Sequence, residues 1–82
     1  MKCIYVHEFE QVTEPKNWSK KNNGVTFVNT GNATALINGM PLAPGQSISL
    51  QGRPGETDCT TYIISFVNTQ SGRLDVIVKV NK

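Results

Sequence analysis

The chain has 82 residues and a formal net charge of +2, and only 17% of its residues are charged. This length leaves room for one domain, residues 1–82, and the weak charge does not indicate a nucleic-acid-binding surface. No apolar run is long enough to span a bilayer, and the first residues lack a secretory-signal pattern. We therefore expect no membrane partner and a protein made and kept in a cytoplasm unless it leaves within an assembly.

The first regular stretch, residues 3–9, alternates between a mostly apolar face and a mixed face, which indicates a β-strand. The single histidine, His7, shares the face of this strand that carries Tyr5 and Phe9, and we expect its ring to be packed or hydrogen-bonded. The pattern is lost at residues 10–23, and we predict an irregular loop there.

That loop holds the one aromatic residue interleaved with positive charge. Trp18 lies between Lys16 and the pair Lys20 and Lys21. Single-stranded nucleic acid is bound by such combinations, and aromatic rings among long polar side chains also anchor protein interfaces. A third possibility is that Trp18 folds back over the end of the domain. We predict Trp18, Lys20 and Lys21 as protein contacts, with protein preferred to nucleic acid as the partner.

The centre of the chain consists of short strand-like runs joined by glycine turns. The runs at 25–30 and 33–37 are rich in β-branched and apolar residues and too short for helices. The turn formers at 29–32 predict that these two runs close as a hairpin. Asn38-Gly39, directly after the second run, is typical of a tight hairpin turn.

Pro44-Gly45 is typical of a type II turn, and residues 46–50 after it alternate between polar and apolar, as in a strand with one wet face. Pro41 cannot donate to a sheet, so residues 40–43 are predicted as an edge strand or a connection. We predict Met40 and Pro41 on this edge as protein contacts.

The second half of the chain contains a polar loop and two strong strands. Residues 51–58 form the loop, in which we predict Arg53 as a protein contact. Residues 59–68 are apolar on both faces, which favours a central strand. A turn follows, and in residues 74–80 every second residue is apolar and predicted to face inward. Ile77 interrupts the outward row and indicates a contact.

Six strand candidates with even spacing and no helix predict an all-β fold, a small antiparallel β-sandwich or a small barrel. A sandwich of about six strands is our main prediction. Its sheets could be connected in an immunoglobulin-like or a jelly-roll-like order, and the pattern leaves both open.

Residue types that carry catalysis or bind metals are sparse and poorly spaced. His7 has no recognisable nucleophile partner, and the carboxylates are scattered. Glu56 and Asp58 could both reach one Ca²⁺, but further carboxylates are lacking nearby. Cys3 and Cys59 lack zinc-site spacing and are expected to be free thiols. We expect no enzyme activity and no cofactor.

Four segments carry a resemblance to a known class of proteins: Asn29-Thr30-Gly31-Asn32, Ile37-Asn38-Gly39, residues 42–47 and residues 62–66. Over residues 24–68 the chain resembles small β-sandwich virion proteins of tailed bacteriophages, in particular capsid decoration or auxiliary proteins. The resemblance implies a non-enzymatic role in the virion, assembled in the host cytoplasm. It also implies major capsid or other virion proteins as partners, with the chain as a homo-oligomer or repeated on a symmetric assembly.

Two other functions remain as alternatives. A carbohydrate- or host-surface-binding module would use Trp18 and Tyr62 to stack on a sugar. A small nucleic-acid-binding domain would use Trp18 with the neighbouring lysines. The sugar-binding alternative depends on whether the ring of Trp18 is exposed on a flat face or buried beneath the loop. The affinity of a nucleic-acid-binding domain would fall steeply with salt.

Overall fold

The computed structural model describes residues 5–53, 55–67 and 72–81, and the fold in these ranges is all-β. Eight strands are found there, two more than the six expected. They are β1 (Tyr5–Val12), β2 (Lys16–Ser19), β3 (Gly24–Asn29), β4 (Ala35–Ile37), β5 (Met40–Leu42), β6 (Ser47–Gln51), β7 (Thr61–Phe66) and β8 (Leu74–Asn81).

The strands form two antiparallel sheets of four, which pack face to face. Sheet 1 has the order β1-β8-β3-β6, and sheet 2 has the order β2-β7-β4-β5. The first strand pairs with the last, β2 with β7, β3 with β6 and β4 with β5. The chain is therefore connected as one long hairpin that is folded over into two layers.

The core lies between the sheets and is built from alternate residues of the strands. Its centre is a group of three aromatic rings, Trp18, Phe27 and Tyr62, whose centroids lie 5.2–6.0 Å apart. Edge-to-face and tilted contacts of this kind add to the stability gained from burial alone. The other buried apolar residues are Val12, Val25, Ala33, Ala35, Ile37, Leu42, Ile64, Phe66, Leu74, Val76 and Val78.

Several predictions for the central and C-terminal segments are confirmed. Asn38 and Gly39 have φ angles of 51° and 84° and join β4 to β5 in a tight hairpin. Gly45 has a φ of 85°, and the amide of Gln46 donates to the carbonyl of Ala43 at 3.0 Å, as in a type II turn. β7 is an interior strand of its sheet, and β5 is an edge strand.

The predicted irregular loop at residues 10–23 is wrong over most of its length. β1 continues to Val12, and β2 occupies Lys16–Ser19, where Trp18 pairs with Tyr62. β2 has one apolar residue among four, so no alternation could reveal it. It is held in the sheet by burial of the Trp18 ring, which is 3% exposed.

The orientation of β1 differs from what a packed His7 ring would require. His7 and Phe9 face outward and are exposed, while Glu8 and Glu10 lie on the inward side. The partner strand determines this orientation, because Glu10 is opposite Val76, which faces the core. Residues directly opposite each other in an antiparallel pair point to the same face. The packed ring expected for His7 is therefore not found.

The predicted hairpin at residues 29–32 is also wrong. β3 belongs to sheet 1 and β4 to sheet 2, so this turn carries the chain between layers. The Asn29 side chain is fully buried there and binds three backbone groups: its Nδ2 donates to the carbonyls of Ala33 and Leu42, both at 2.8 Å, and its Oδ1 accepts from Gly31 N at 3.0 Å. Two further expectations lie outside the described residues: the strand end and turn at 68–71, and the state of Cys3. Cys59 is an exposed free thiol.

Candidate contact surfaces

The predicted contact residues do not form one site but lie in four different environments. Trp18 is in the core between the sheets, with its ring against Phe27 and Tyr62. Of the three possibilities raised by the sequence, the structure agrees with a ring folded into the domain. A buried ring cannot stack on a base or a sugar in this conformation, so Trp18 is not available as a surface anchor.

Lys20 and Lys21 follow β2 and differ in their surroundings. The Nζ of Lys20 donates to the Glu8 carboxylate and lies 3.9 Å from a carboxylate oxygen of Glu10. The hydrogen bond to Glu8 holds the pKa of Lys20 above its usual value, although partial burial acts in the opposite direction. Lys20 thus neutralises two inward carboxylates at the edge of β1, whereas Lys21 is exposed.

Met40 and Pro41 lie on β5, at the side of the sandwich where β5 and β6 have no further partner among the described strands. Met40 is 57% exposed. A groove of about 210 Å³ runs between β5 and β6 at this position. Apolar side chains form most of its lining: Ile37, Met40, Pro41, Leu42, Ile48, Leu50 and Tyr62, together with Asn38. The predicted contact at residues 40 and 41 is therefore exposed and adjoins an apolar surface.

Arg53 is exposed in the loop after β6, at one end of the sandwich. Its backbone carbonyl accepts a hydrogen bond of 2.6 Å from the side-chain amide of Asn23, which also donates to the carbonyl of Glu56 at 2.7 Å. Asn22 and Asp58 exchange backbone hydrogen bonds of 3.1 and 2.7 Å beside them. Two neighbouring asparagines thus position the loop that presents Arg53.

Glu56 and Asp58 of the same loop are the two carboxylates within reach of one Ca²⁺ by sequence, but one carboxylate oxygen of Asp58 is bonded within the protein. Oδ1 of Asp58 accepts hydrogen bonds from the amide and hydroxyl of Thr60, at 2.9 and 2.6 Å, and these bonds lower the pKa of Asp58. The side-chain oxygens of Asn22 and Asn23 have no hydrogen-bond partner, but protein atoms cover both of them. Within the described ranges, no three His, Cys, Asp or Glu side chains form a cluster able to hold a metal.

The outer face of sheet 1 contains a contact surface that the sequence pattern only partly indicated. Phe9 is 74% exposed in the middle of β1, directly opposite Ile77 of β8. Val28 lines the same shallow depression, and we call Phe9, Ile77 and Val28 the Phe9 patch. Ile77 was predicted as a contact, but Phe9 was not. The outward position of Ile77 on β8 could have revealed Phe9, because residues that lie opposite each other in paired strands point to the same face.

No family model, curated protein or solved structure matches this chain. In the described part of the chain, no helix has the length and apolar character needed to cross a membrane. The surfaces described above are therefore the basis for proposing a function.

Proposed function

We propose that this protein is a non-enzymatic structural protein of a virion, a capsid decoration or auxiliary protein that bridges neighbouring capsid subunits. The observation that carries the proposal is the Phe9 patch. An aromatic ring that is 74% exposed beside a second apolar side chain, on the rigid face of a sheet, is a typical anchor for a protein partner. The surrounding residues, including Gln11 and Asp75, supply a polar rim.

The connectivity of the two sheets supports the same proposal. We infer that the sandwich is a jelly roll rather than an immunoglobulin-like fold, because nested pairing of β1 with β8 through to β4 with β5 gives eight strands in two Greek keys. Jelly rolls are the fold of many viral capsid domains and also of lectins. Since one fold serves many functions, the fold agrees with the proposal without deciding it.

Sugar binding and nucleic-acid binding, the two alternatives, both needed an exposed Trp18 ring that the fold buries. Sugar binding requires the rings of Trp18 and Tyr62 at the surface, and both residues are at most 5% exposed. Nucleic-acid binding was argued from Trp18 with the lysines around it, and Lys20 is paired with carboxylates. A protein contact needs neither ring, since the Phe9 patch and the groove at Met40 lie on the surface.

Repetition on a shell would strengthen a contact of this size if copies of the chain are joined. The Phe9 patch is small, and one copy would bind weakly. A symmetric capsid presents the same site many times, so that two linked copies bind with much higher avidity than one copy alone.

The proposal is tested by co-sedimentation with shells assembled from the major capsid protein that the same genome encodes. We expect the wild-type chain to pellet with shells and Phe9→Ser to bind about 30-fold more weakly, the effect of losing an anchor worth about 2 kcal/mol. Ile63→Ser is the matched control, because Ile63 is 59% exposed on the outer face of the opposite sheet. Wild-type protein that stays in the supernatant with intact shells would refute the proposal.

A further inference from the structure

Among the described strands four are edges, and three of these four carry features that discourage pairing with another strand. β5 has only three residues and includes Pro41, and β2 has four residues and follows Pro15. β1 carries the inward carboxylates of Glu8 and Glu10. Short length, proline and inward charge are all known to protect sheet edges. β6 has none of them, since its five residues, Ser47–Gln51, include neither a charge nor a proline.

The hydrogen bonds at the two ends of β6 show which of its backbone groups are free. Asn29 N donates to the Gln46 carbonyl at 2.9 Å, and Gly52 N donates to the Asn23 carbonyl at 2.9 Å. Because bonded residues alternate along an antiparallel pair, Ile48 and Leu50 also bond to β3. The amides and carbonyls of residues 47, 49 and 51 therefore point away from the sheet, where no described strand pairs with them.

We propose that β6 pairs with β6 of a second copy of this chain, antiparallel and around a two-fold axis at Ser49. In this register Ser49 lies opposite Ser49 of the second copy, and Ser47 lies opposite Gln51. All three outward amides of each copy then donate to outward carbonyls of the other, and six hydrogen bonds form. A shift by two residues in either direction leaves outward groups of the strand unpaired, so this register is preferred.

In this register the side chains of β6 are compatible with those of β6 in the second copy. Ile48 and Leu50, which face inward, lie opposite each other, and the serines and Gln51 share the outer face. No like charges meet across this axis. In a self-pairing of β1 with Glu8 opposite Glu10, by contrast, two carboxylates would face each other. The surface beside the axis is apolar, because Leu50 is 38% exposed and lines the groove with Met40. Pairing would bring the two grooves together and cover both side chains.

The self-pairing does not depend on the proposed virion role. β6 and β1 are opposite edges of sheet 1, so a β6 dimer leaves the Phe9 patch uncovered. A dimer with two Phe9 patches would still be able to bind a shell. The two proposals can therefore fail separately.

The first test is the mass of the full chain in solution, measured by light scattering and sedimentation from micromolar to millimolar concentration. We expect a dimer for the wild type. Ser49→Pro removes an outward amide that β3 does not use, so we expect a folded chain whose dimer dissociation constant is raised at least about tenfold. Ser49→Lys should dissociate the dimer by charge repulsion, with circular dichroism confirming that both variants are folded.

Thr26→Lys is the matched control for the charged variant. Thr26 lies opposite Ser49 on the neighbouring interior strand, and their hydroxyl oxygens are 2.9 Å apart. A lysine there adds the same charge to the same face but one strand away from the axis, and we expect it to weaken the dimer less. A wild-type chain that is monomeric at every concentration, or a dimer that Ser49→Pro leaves unchanged, would overturn the proposal.

The second test fixes the register by cysteine cross-linking in a background in which Cys3 and Cys59 are replaced by serine. Paired residues across an antiparallel strand pair have Cα atoms about 5.5 Å apart, within the range of a disulfide. Ser49→Cys should therefore link two copies on oxidation. The two copies of residue 47 lie four residues apart along the strand, about 14 Å, and Ser47→Cys should not link. Equal linking of both variants would refute the two-fold at Ser49.

Discussion

Replacing Asn29 should reveal how much the fold depends on one buried side chain where the chain passes between the sheets. Asn29 is fully buried, and its amide group holds the carbonyls of Ala33 and Leu42 and the amide of Gly31. Its backbone amide and carbonyl bind Gln46 and Gly45 at 2.9 and 2.8 Å. The end of β3, the start of the crossing and the turn before β6 therefore meet at this residue.

Asn29→Ala removes the three side-chain hydrogen bonds, and the carbonyls of Ala33 and Leu42 lose the amide that binds both of them, whereas Gly31 N keeps its 3.1 Å bond to the Arg73 carbonyl. At about 1 kcal/mol for each bond, the free energy of unfolding should fall by about 3 kcal/mol. A domain of this length has on the order of 4–12 kcal/mol of stability in total. The loss should lower the melting temperature by about 12–24 °C.

Asn29→Asp keeps the shape of the side chain but changes its hydrogen-bonding groups. The introduced carboxyl faces two carbonyls in a buried site, so its pKa should be raised in the folded state. A raised folded pKa means that the stability of this variant is greatest below the ordinary aspartate pKa of about 3.9 and is lost as the pH rises from there through the folded pKa. Asn29→Ala should show no such dependence.

Urea denaturation followed by tryptophan fluorescence measures these changes, because Trp18 is buried in the core. The assay is run on wild type and both variants from acid to neutral pH. Asn32→Ala is the control, since Asn32 is an exposed residue of the same crossing and should have little effect. Loss of less than about 1 kcal/mol in Asn29→Ala would refute the assignment of Asn29 as the residue that holds the crossing.

Three other predictions concern single contacts. Thr60→Ala removes the hydroxyl bond to Asp58, so the Asp58 pKa should rise toward its usual value in an NMR titration. A depressed pKa contributes stability that is lost as the pH falls through that pKa. The variant should therefore unfold in acid at a higher pH than wild type. Gly72→Ala would put a Cβ 2.3 Å from Cδ1 of the buried Phe66 ring, and urea unfolding should show a loss of about 1–3 kcal/mol. Lys20→Met should cost less than about 1 kcal/mol at neutral pH, with a smaller loss in high salt, because the ion pair is partly exposed.

Each of these predictions has a result that contradicts it. An unchanged Asp58 titration in Thr60→Ala would mean that the hydroxyl bond does not lower the pKa. A Gly72→Ala variant as stable as wild type would mean that the Phe66 ring moves without cost. A loss for Lys20→Met that is as large in high salt as in low salt would indicate packing of the lysine side chain rather than its charge.

Local features were predictable from sequence where a few neighbouring residues determine the backbone. The Asn38-Gly39 and Pro44-Gly45 turns were correct, because their φ requirements are met by those residues. The inward row of β8 was also correct, since strict alternation leaves one choice of face. These features fix the all-β fold and its sandwich form but not the order of the strands.

The errors arose where contacts distant in sequence decide the structure. Residues 29–32 have the composition of a hairpin turn, but the buried side chain of Asn29 directs the chain into the other sheet. β1 alternates with apolar residues on one side, yet its pairing with β8 places Phe9 outside and Glu10 inside. The Phe9 patch was missed for that reason, because its position depends on a strand more than sixty residues away in sequence.

The nested connectivity also explains why the edges of the two sheets differ in character. β4 and β5 form the innermost pair and are joined by a two-residue turn, so closing them costs little chain entropy. Each further pair, from β3 with β6 to β1 with β8, encloses a longer loop and must be held by its core side chains. Pro41 is tolerated in β5 because it lies opposite Leu36, at a position that does not bond to β4 in a two-residue hairpin. β6 is bonded to β3 through Ile48 and Leu50, and these bonds keep its backbone extended and regular. The same extended backbone places the outward groups of residues 47, 49 and 51 in line for a strand of a second copy.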